Sequence, residues 1–559
     1  MNKKLVKNIF VSFIIITPLF QGLYFYYSIY FAAVILLIVL LMNIILNNNI
    51  SIEISVNHGC ILLLLALYFI TIFHGIDKGM AFIGFLKIFT IYIFYIVLMQ
   101  LNYNKELYIN AISSSGIIVS LLGIASFFIP SLGQELIQKG RLGSVFQYPN
   151  TCALFLVICI IFITTRNKIN VYNFIGIITM WVGIFLTFSR SMYIISIVVA
   201  ITLIIYDKSK VKYLLPSCVI GSIIGNTIMK LANISHMFDR IEKTSIHASE
   251  WLTRLLYYKD SLSIMKDYPF GTGHLGYYYI QRIYQTGSTY YVKYIHSNVL
   301  QIVMDIGVIG FILMAIYFIY NILNKKLKFH EKLAIIVIFG HGAIDFDWEF
   351  PVILFFLLII VYIDENKLVY KKIRKIPVCI GIILCMSMYI YMGISTYLDY
   401  SNNYETSLQL YKYNTIAKEK LAKKYMEIDT EKAYKLANSI IKQNEFFLNA
   451  YIIKRDIDYE RNELNKALIS AKKVIELNPL NITHLEKYCN ILLDSAKLDI
   501  EKGNIDTATS KLEIILQIPY YIDRLAKERL TDYNVKHIPK LYMTKQLIRL
   551  NKEAEKLLF

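Results

Sequence analysis

The chain has 559 residues, 56% of them hydrophobic, a mean hydropathy of +0.50 and a formal net charge of +18. A soluble enzyme of this length does not average so apolar. The positive charge sits largely between apolar runs, where it orients a membrane protein rather than binding nucleic acid, and no RNA- or DNA-binding motif accompanies it. Six of the seven cysteines fall in apolar runs and Cys489 in the tail. No CxxC or Cys/His spacing suggests a metal site or a disulfide framework, so they read as small buried hydrophobes.

The N-terminus, MNKKLVKNIF, is a charged start running into the first apolar segment. No A-x-A-like cleavage site follows, so a retained first helix is expected rather than a signal peptide. From Phe10 to Ile394 the apolar residues come in runs long enough to cross a hydrocarbon core as helices, and about 13 spans are expected. They lie near 9–20, 24–46, 60–74, 81–99, 107–129, 151–165, 171–188, 192–206, 213–231, 297–322, 333–344, 351–363 and 377–394. The reading is an all-α polytopic membrane bundle of about 12–13 transmembrane helices over 1–397, followed by a helical-repeat domain over 398–559.

Charge sets the orientation. With the N-terminus inside, the inner loops carry Lys3, Lys4, Lys7, Lys105, Arg166, Lys168, Lys208, Lys210 and Lys212. They also carry Lys325, Lys326, Lys328, Lys332, Lys367, Lys371, Lys372, Arg374 and Lys375. The short outer loops carry little besides Lys78, Lys139, Arg141 and Arg190, an asymmetry that follows the positive-inside rule. An odd number of spans then places the C-terminal domain outside, on the cytoplasmic (inner or plasma) membrane's outer face.

Two outer segments stand out. One is 130–150, PSLGQELIQKGRLGSVFQYPN; the other is the long loop 232–295. Within it Trp251, Leu255, Tyr258, Leu262 and Met265 recur at three- and four-residue steps, as on one face of a helix lying on the membrane or over a cavity. The run GTGHLG fits G-x-G-x-x-G, but no strand precedes it, which argues against a dinucleotide site.

After Tyr397 the apolar residues become periodic among Lys and Glu. Ala433 and Ala437 are matched by Ala467 and Ala471, 34 positions on, the tetratricopeptide period, with ELNP closing the second unit and a weaker third ending at Pro519. A short array of this kind offers a surface to a protein partner, or serves as a packing scaffold without a ligand.

By topology, Arg141, Arg190 and Arg254 fall on the same side as His296. Guanidinium forks suit a phosphate or diphosphate, although a single membrane-edge arginine also anchors to lipid headgroups. His296, at the rim of SNVLQIVMDIGVIGF, has the chemistry to deprotonate an acceptor hydroxyl, or simply starts a helix. Asp305, deeper in that span, needs a partner. His341 and Asp345 share a helix face if their span continues, while Asp345, Asp347 and Glu349 otherwise read as a solvated loop, and no ligand spacing supports a metal.

The order RLGSVFQYPN, LTFSR, W-x-x-R…DYPFGTG, then IHSNVLQIVMDIGVIG resembles the O-antigen ligase superfamily, over about Arg141–Glu349. That superfamily includes lipopolysaccharide O-antigen ligases, O-antigen polymerases and protein O-oligosaccharyltransferases. The resemblance implies a GT-C-like multi-helix fold and an undecaprenyl-diphosphate-linked glycan donor. It implies transfer to an acceptor hydroxyl on a glycan, lipid or protein, with inversion and with neither cofactor nor metal. Position by position, the family's outer-face arginines match Arg141 and Arg190, with Arg254 as a third candidate. Its histidine matches His296, followed by Ser297 and Asn298, with Asn298 a candidate glycan contact. Ser stands where many members show a second Asn or Ala, and His274 is a competing histidine. The repeats lie outside the core family. Usage rich in Ile, Lys, Asn and Tyr suggests a low-GC bacterium, for which a cell-wall or capsular polymer, or a protein, suits the acceptor better than lipopolysaccharide. The alternatives are a polysaccharide exporter or flippase, a protein O-oligosaccharyltransferase, and a non-catalytic membrane anchor for the repeats.

Overall fold

A computed structural model describes residues 3–47, 49–101, 104–232, 249–287, 290–363, 367–371, 375–530 and 541–558. Part of the long loop expected outside, 233–248, lies outside the described residues. Each expected span coincides with a helix. The first five are α1 (Lys3–Ile16), α2 (Tyr26–Leu46), α3 (Val56–His74), α4 (Lys78–Gln100) and α5 (Lys105–Ala125). The short α6 (Pro130–Leu136) precedes α7 (Pro149–Thr164), α8 (Val171–Thr187), α9 (Arg190–Tyr206) and α10 (Val211–Leu231). The long loop contributes α11 (Ser249–Asp267) and α12 (Gly276–Tyr284). The bundle closes with α13 (Asn298–Leu323), α14 (Phe329–Gly342), α15 (Pro351–Val361) and α16 (Lys375–Tyr400). Among the described residues, seven helices are long and apolar enough to cross a membrane, and α7, α8, α9 and α15 are shorter apolar ones. The protein is an all-α polytopic bundle.

The shortest of these helices sit at the centre. Every residue of α15 except Leu354 is buried, as is all of α7 except Asn150. A helix apolar all round belongs inside a bundle, and both start with proline at the first turn, where its missing N–H costs nothing.

Contacts sort the connections onto two ends of the bundle, in the alternation expected from the charges. At one end a two-stranded antiparallel ribbon joins Asn49–Glu53 to Lys367–Lys371. Lys105 pairs with Glu331 at 2.9 Å, and Lys210 Nζ donates to Arg166 O at 3.1 Å. At the other end Ile76 N donates to Thr272 O at 2.9 Å, and Arg254 reaches Ile344 O at 2.7 Å.

Helix α13 is broken at Gly307, with φ 78° and ψ −173°. The segment Pro269–Gly273 lies across the break: Val308 N donates to Pro269 O and Thr272 N to Met304 O. A Cβ on Gly307 would stand 2.4 Å from Pro269 O, and one on Gly271 (φ +87°) 2.6 Å from Asp305 O. GTGHLG is therefore a close-packed backbone crossing, consistent with its not being a dinucleotide loop.

Helix α11 buries the face beside the expected apolar stripe. Leu256, Tyr257, Asp260, Ser261 and Ile264 are buried, whereas Trp251 and Leu262 are exposed. Asp260 is what turns the helix. Its carboxylate accepts from Thr286 Oγ1 at 2.7 Å and Tyr290 OH at 2.8 Å, so the loop satisfies it inside the fold.

The tail folds as α17 (Tyr404–Leu410), α18 (Thr415–Met426), α19 (Thr430–Gln443), α20 (Leu448–Glu460), α21 (Leu464–Leu477) and α22 (Ile482–Glu501). It ends with α23 (Ile505–Leu516), α24 (Ile518–Arg529) and α25 (Lys545–Leu558). The alanines at the 34-residue spacing are buried between neighbouring helices. The array docks on the bundle. Asp77, at the start of α4, accepts from Thr415 Oγ1 at 2.6 Å and Gln443 Nε2 at 3.0 Å. The array also holds α12: the Tyr279 and Phe447 rings lie 5.3 Å apart, Ile283 packs against Leu448, Val474 and Leu477, and Arg529 donates to Ile283 O.

Candidate functional site

Asp345 organises the site. It sits past the end of α14, in a turn that carries the chain to α15, and its side chain is 1% exposed. Tyr148 OH donates to it at 2.8 Å and Asn150 Nδ2 at 2.6 Å. His296 Nδ1 lies 3.3 Å from Oδ1 and an Arg254 nitrogen 3.6 Å from Oδ2. His296 and Arg254 keep 21% and 25% of their side chains exposed, so the buried carboxylate holds two groups that still face outward. Burial alone raises the Asp345 pKa, but the hydrogen bond and charge of His296, with Arg254 and His341, outweigh it and hold the carboxyl well below its usual range.

With Nδ1–H directed at Asp345, His296 Nε2 carries the lone pair, and Nε2 makes no hydrogen bond among the described residues. The backbone is pinned too: Tyr258 OH donates to His296 O at 2.7 Å and Asn298 N to Asp345 O at 3.1 Å.

Arg141 joins the cluster through Asn150, donating to its Oδ1 at 2.9 Å, and through Thr187 O, also at 2.9 Å. Thr187 ends α8. Phe188 turns the chain with a left-handed φ of 50°, and Arg190 follows as the first residue of α9. Arg190 is half-buried and has no hydrogen-bond or ion-pair partner among the described residues. Its neighbour Ser191 lies 3.2 Å from His341 Nε2, whose Nδ1 lies 2.6 Å from Asp347; Thr151 Oγ1 donates to Asp347 at 2.7 Å. Two carboxylates two residues apart thus tie α7, α9, α11 and α14 to one patch.

His341 and Asp345 do not pair on one helix face, because α14 ends at Gly342 and the turn hands His341 to Asp347. Nor is 345–349 a solvated loop: Asp345, Asp347 and Glu349 are buried. Asn298 is buried, and its Oδ1 accepts from Trp348 N at 3.2 Å, so it fixes this same turn. His274 is engaged elsewhere, with Nε2 2.7 Å from Tyr26 OH and Nδ1 3.8 Å from Asp305. Asp305 finds further partners in Tyr68 OH at 3.0 Å and Gln301 at 2.9 Å. Lys87 pairs with Glu349 at 2.5 Å. No group of three or more His, Cys, Asp or Glu side chains among the described residues is placed to hold a metal ion.

Tyr148, Asn150 and Ser191 were not singled out from sequence. Their signal was position: polar residues beside Arg141 and Arg190 at the edges of apolar helices. The segment leading to His296 is also braced. Gln281 of α12 donates to Val292 O at 2.8 Å and accepts from Val292 N at 3.0 Å.

No match was found among curated proteins or among solved structures. Residues 175–315 match the family model described as O-antigen ligase. The stretch includes Arg190, Arg254, His296 and Asn298, and the Asp345 turn lies beyond it. That stretch, about a quarter of the chain, is similar to the O-antigen ligase family, and the match supports a membrane function of the ligase or polymerase type.

Proposed function

We propose that the protein transfers a glycan from a polyprenyl-diphosphate donor to an acceptor hydroxyl at the outer face of the cytoplasmic membrane. His296 Nε2 takes the proton from the acceptor hydroxyl. The freed oxygen forms a bond to the anomeric carbon, from the face opposite the leaving group. The bond from that carbon to the diphosphate oxygen breaks, and its electron pair leaves on the diphosphate. Arg190, Arg254 and Arg141 stabilise the charge that grows there. Asp345 holds the imidazole in the tautomer that can accept a proton and stabilises the imidazolium that follows. Inversion results from this single displacement.

The observation that carries the reading is a cluster in which Asp345 holds His296, Arg254 and, through Asn150, Arg141, with Arg190, unpartnered among the described residues, three positions after the Thr187 carbonyl that Arg141 binds. An exporter needs polar groups lining a route through the bundle. Here the deep ones, Lys87 with Glu349 and Asp305 with His274, are paired with one another. The outward orientation of this end and of the C-terminal domain rests on the lysine and arginine asymmetry of the loops.

The test is transfer in proteoliposomes supplied with undecaprenyl-diphosphate-linked glycan and acceptor, without nucleotide or added metal. Wild-type protein is expected to form product and release undecaprenyl diphosphate, and Arg190→Ala and His296→Ala to lose both. Undiminished product from either variant would overturn the reading. Candidate acceptors run in parallel (glycan, lipid and protein) distinguish ligase, polymerase and oligosaccharyltransferase.

A further inference from the structure

Lys293 lies three residues before His296. Its ammonium stands 5.3 Å from the Tyr24 ring, 5.3 Å from Tyr26 and 5.0 Å from Tyr294. Three rings around one cation are favourable, yet none of them neutralises it. Lys293 has no hydrogen-bond or ion-pair partner among the described residues. Lys87 provides the contrast. It faces the same Tyr294 ring at 5.8 Å, but is satisfied by the carboxylate and the carbonyl of Glu349. Burial, and then the charge of Lys87, lower the Lys293 pKa to about 8, against the smaller opposing charges of Glu349 and Asp399.

An aromatic ledge runs on from this cage. Tyr24 contacts Phe25 at 5.4 Å, Phe25 contacts Tyr400 at 5.0 Å, and Tyr27 contacts Tyr400 at 4.8 Å and Tyr397 at 5.6 Å. Tyr397 and Tyr400 are 49% and 47% exposed. Such rings suit the membrane interface, but an interfacial belt encircles a bundle, whereas this ledge runs into Tyr24, one of the three rings around Lys293. A pyranose has a flat C–H face that packs on an aromatic ring. The cage and the site are also continuous: Tyr294 contacts Phe346 at 6.2 Å, and Phe346 contacts His296 at 5.1 Å.

We propose that Lys293, with the tyrosines from Tyr24 to Tyr400, forms the acceptor subsite and takes a saccharide bearing an anionic substituent, its charge on the ammonium and its ring on the ledge. The word acceptor rests on the transfer reading above: with the donor diphosphate at the arginines, Lys293, joined to His296 through Tyr294 and Phe346, is left for the sugar that carries the attacking hydroxyl. The binding itself does not depend on that reading.

The test uses full-length protein in nanodiscs, with glucuronate and glucose 6-phosphate as anionic probes and glucose as the neutral one, read by saturation-transfer NMR. Undecaprenyl diphosphate binding is read separately by native mass spectrometry. Wild-type protein is expected to bind at least one anionic probe and to prefer it to glucose. Lys293→Gln is expected to weaken that binding by about ten-fold, the scale of one lost charge-assisted contact, and Lys293→Arg to retain it. Undecaprenyl diphosphate binding is expected to be unchanged in both variants. The proposal is overturned if no anionic probe binds, if glucose binds as well, if Lys293→Gln binds like wild type, or if Lys293→Gln loses undecaprenyl diphosphate instead. Failure of the transfer assay with the probes still bound would count against the reaction and leave the site standing.

Discussion

Asp345 and His296 are 49 residues apart in the chain and 3.3 Å apart in space. The contact joins the rim of α13 to the turn after α14, and it fixes which imidazole nitrogen is left free. Asp345→Asn keeps the size of the side chain but presents an amide where Nδ1–H needs an acceptor. Initial transfer rates are expected to fall by about 10²–10⁴-fold, with donor binding little changed. A loss confined to donor affinity would contradict this role.

The same carboxylate makes stability depend on pH. Its folded pKa is depressed, through the His296 hydrogen bond and charge and Arg254 prevailing over burial. The stabilisation is therefore fully present above the unfolded value of about 4 and is lost as pH falls from there toward the folded value. The melting temperature of the detergent-solubilised protein is expected to drop below about pH 4, and Asp345→Asn to drop less over that window. Identical acid limbs would contradict the linkage.

The two arginines beside the α8–α9 turn should separate function from stability. Arg190→Ala removes no hydrogen bond or ion pair among the described residues, so stability should hold to within about 0.5 kcal/mol while transfer falls by about 10²–10³-fold. Arg141→Ala breaks its bonds to Thr187 O and Asn150 and is expected to cost about 1–3 kcal/mol as well as activity. Thermal unfolding beside transfer rates reads both.

Gly307 is expected to tolerate no side chain. Alanine there meets Pro269 O at 2.4 Å and must adopt a positive φ, a strain of about 1–3 kcal/mol before the clash is counted. Gly307→Ala should lower the melting temperature and the yield of folded protein; a melting temperature equal to wild type would contradict the close crossing.

Gln281 links the helix held by the C-terminal array to the segment ending at His296. Gln281→Leu removes both bonds to Val292, and kcat is expected to fall by about ten-fold with KM for the donor unchanged, since orientation rather than binding is lost. A purely structural role would lower the folded yield and leave kcat per folded molecule intact.

Helix placement was legible because membrane-length apolar runs and loop lysines leave few alternatives, and the two ends found by contact follow the expected alternation. The sharing of one end by Arg141, Arg254 and His296 was legible for the same reason. Partner choice was not. His341 and Asp345 have helical spacing, but helical spacing predicts a pair only while the helix continues, and α14 stops at Gly342. The buried face of α11 was not legible because Asp260 and Ser261 look like surface residues until Thr286 and Tyr290 arrive from the loop to satisfy the carboxylate. Hydrogen bonds that close across long stretches of chain leave no periodic trace.

The most direct test asks which side of the membrane the arginine–histidine end faces. In a cysteine-free background, Glu135→Cys marks that end and Ser209→Cys the opposite one. A membrane-impermeant maleimide added to intact cells is expected to label position 135 and to reach 209 only after the cells are permeabilised. Labelling of 209 and protection of 135 in intact cells would contradict transfer from a lipid-linked donor at the outer face.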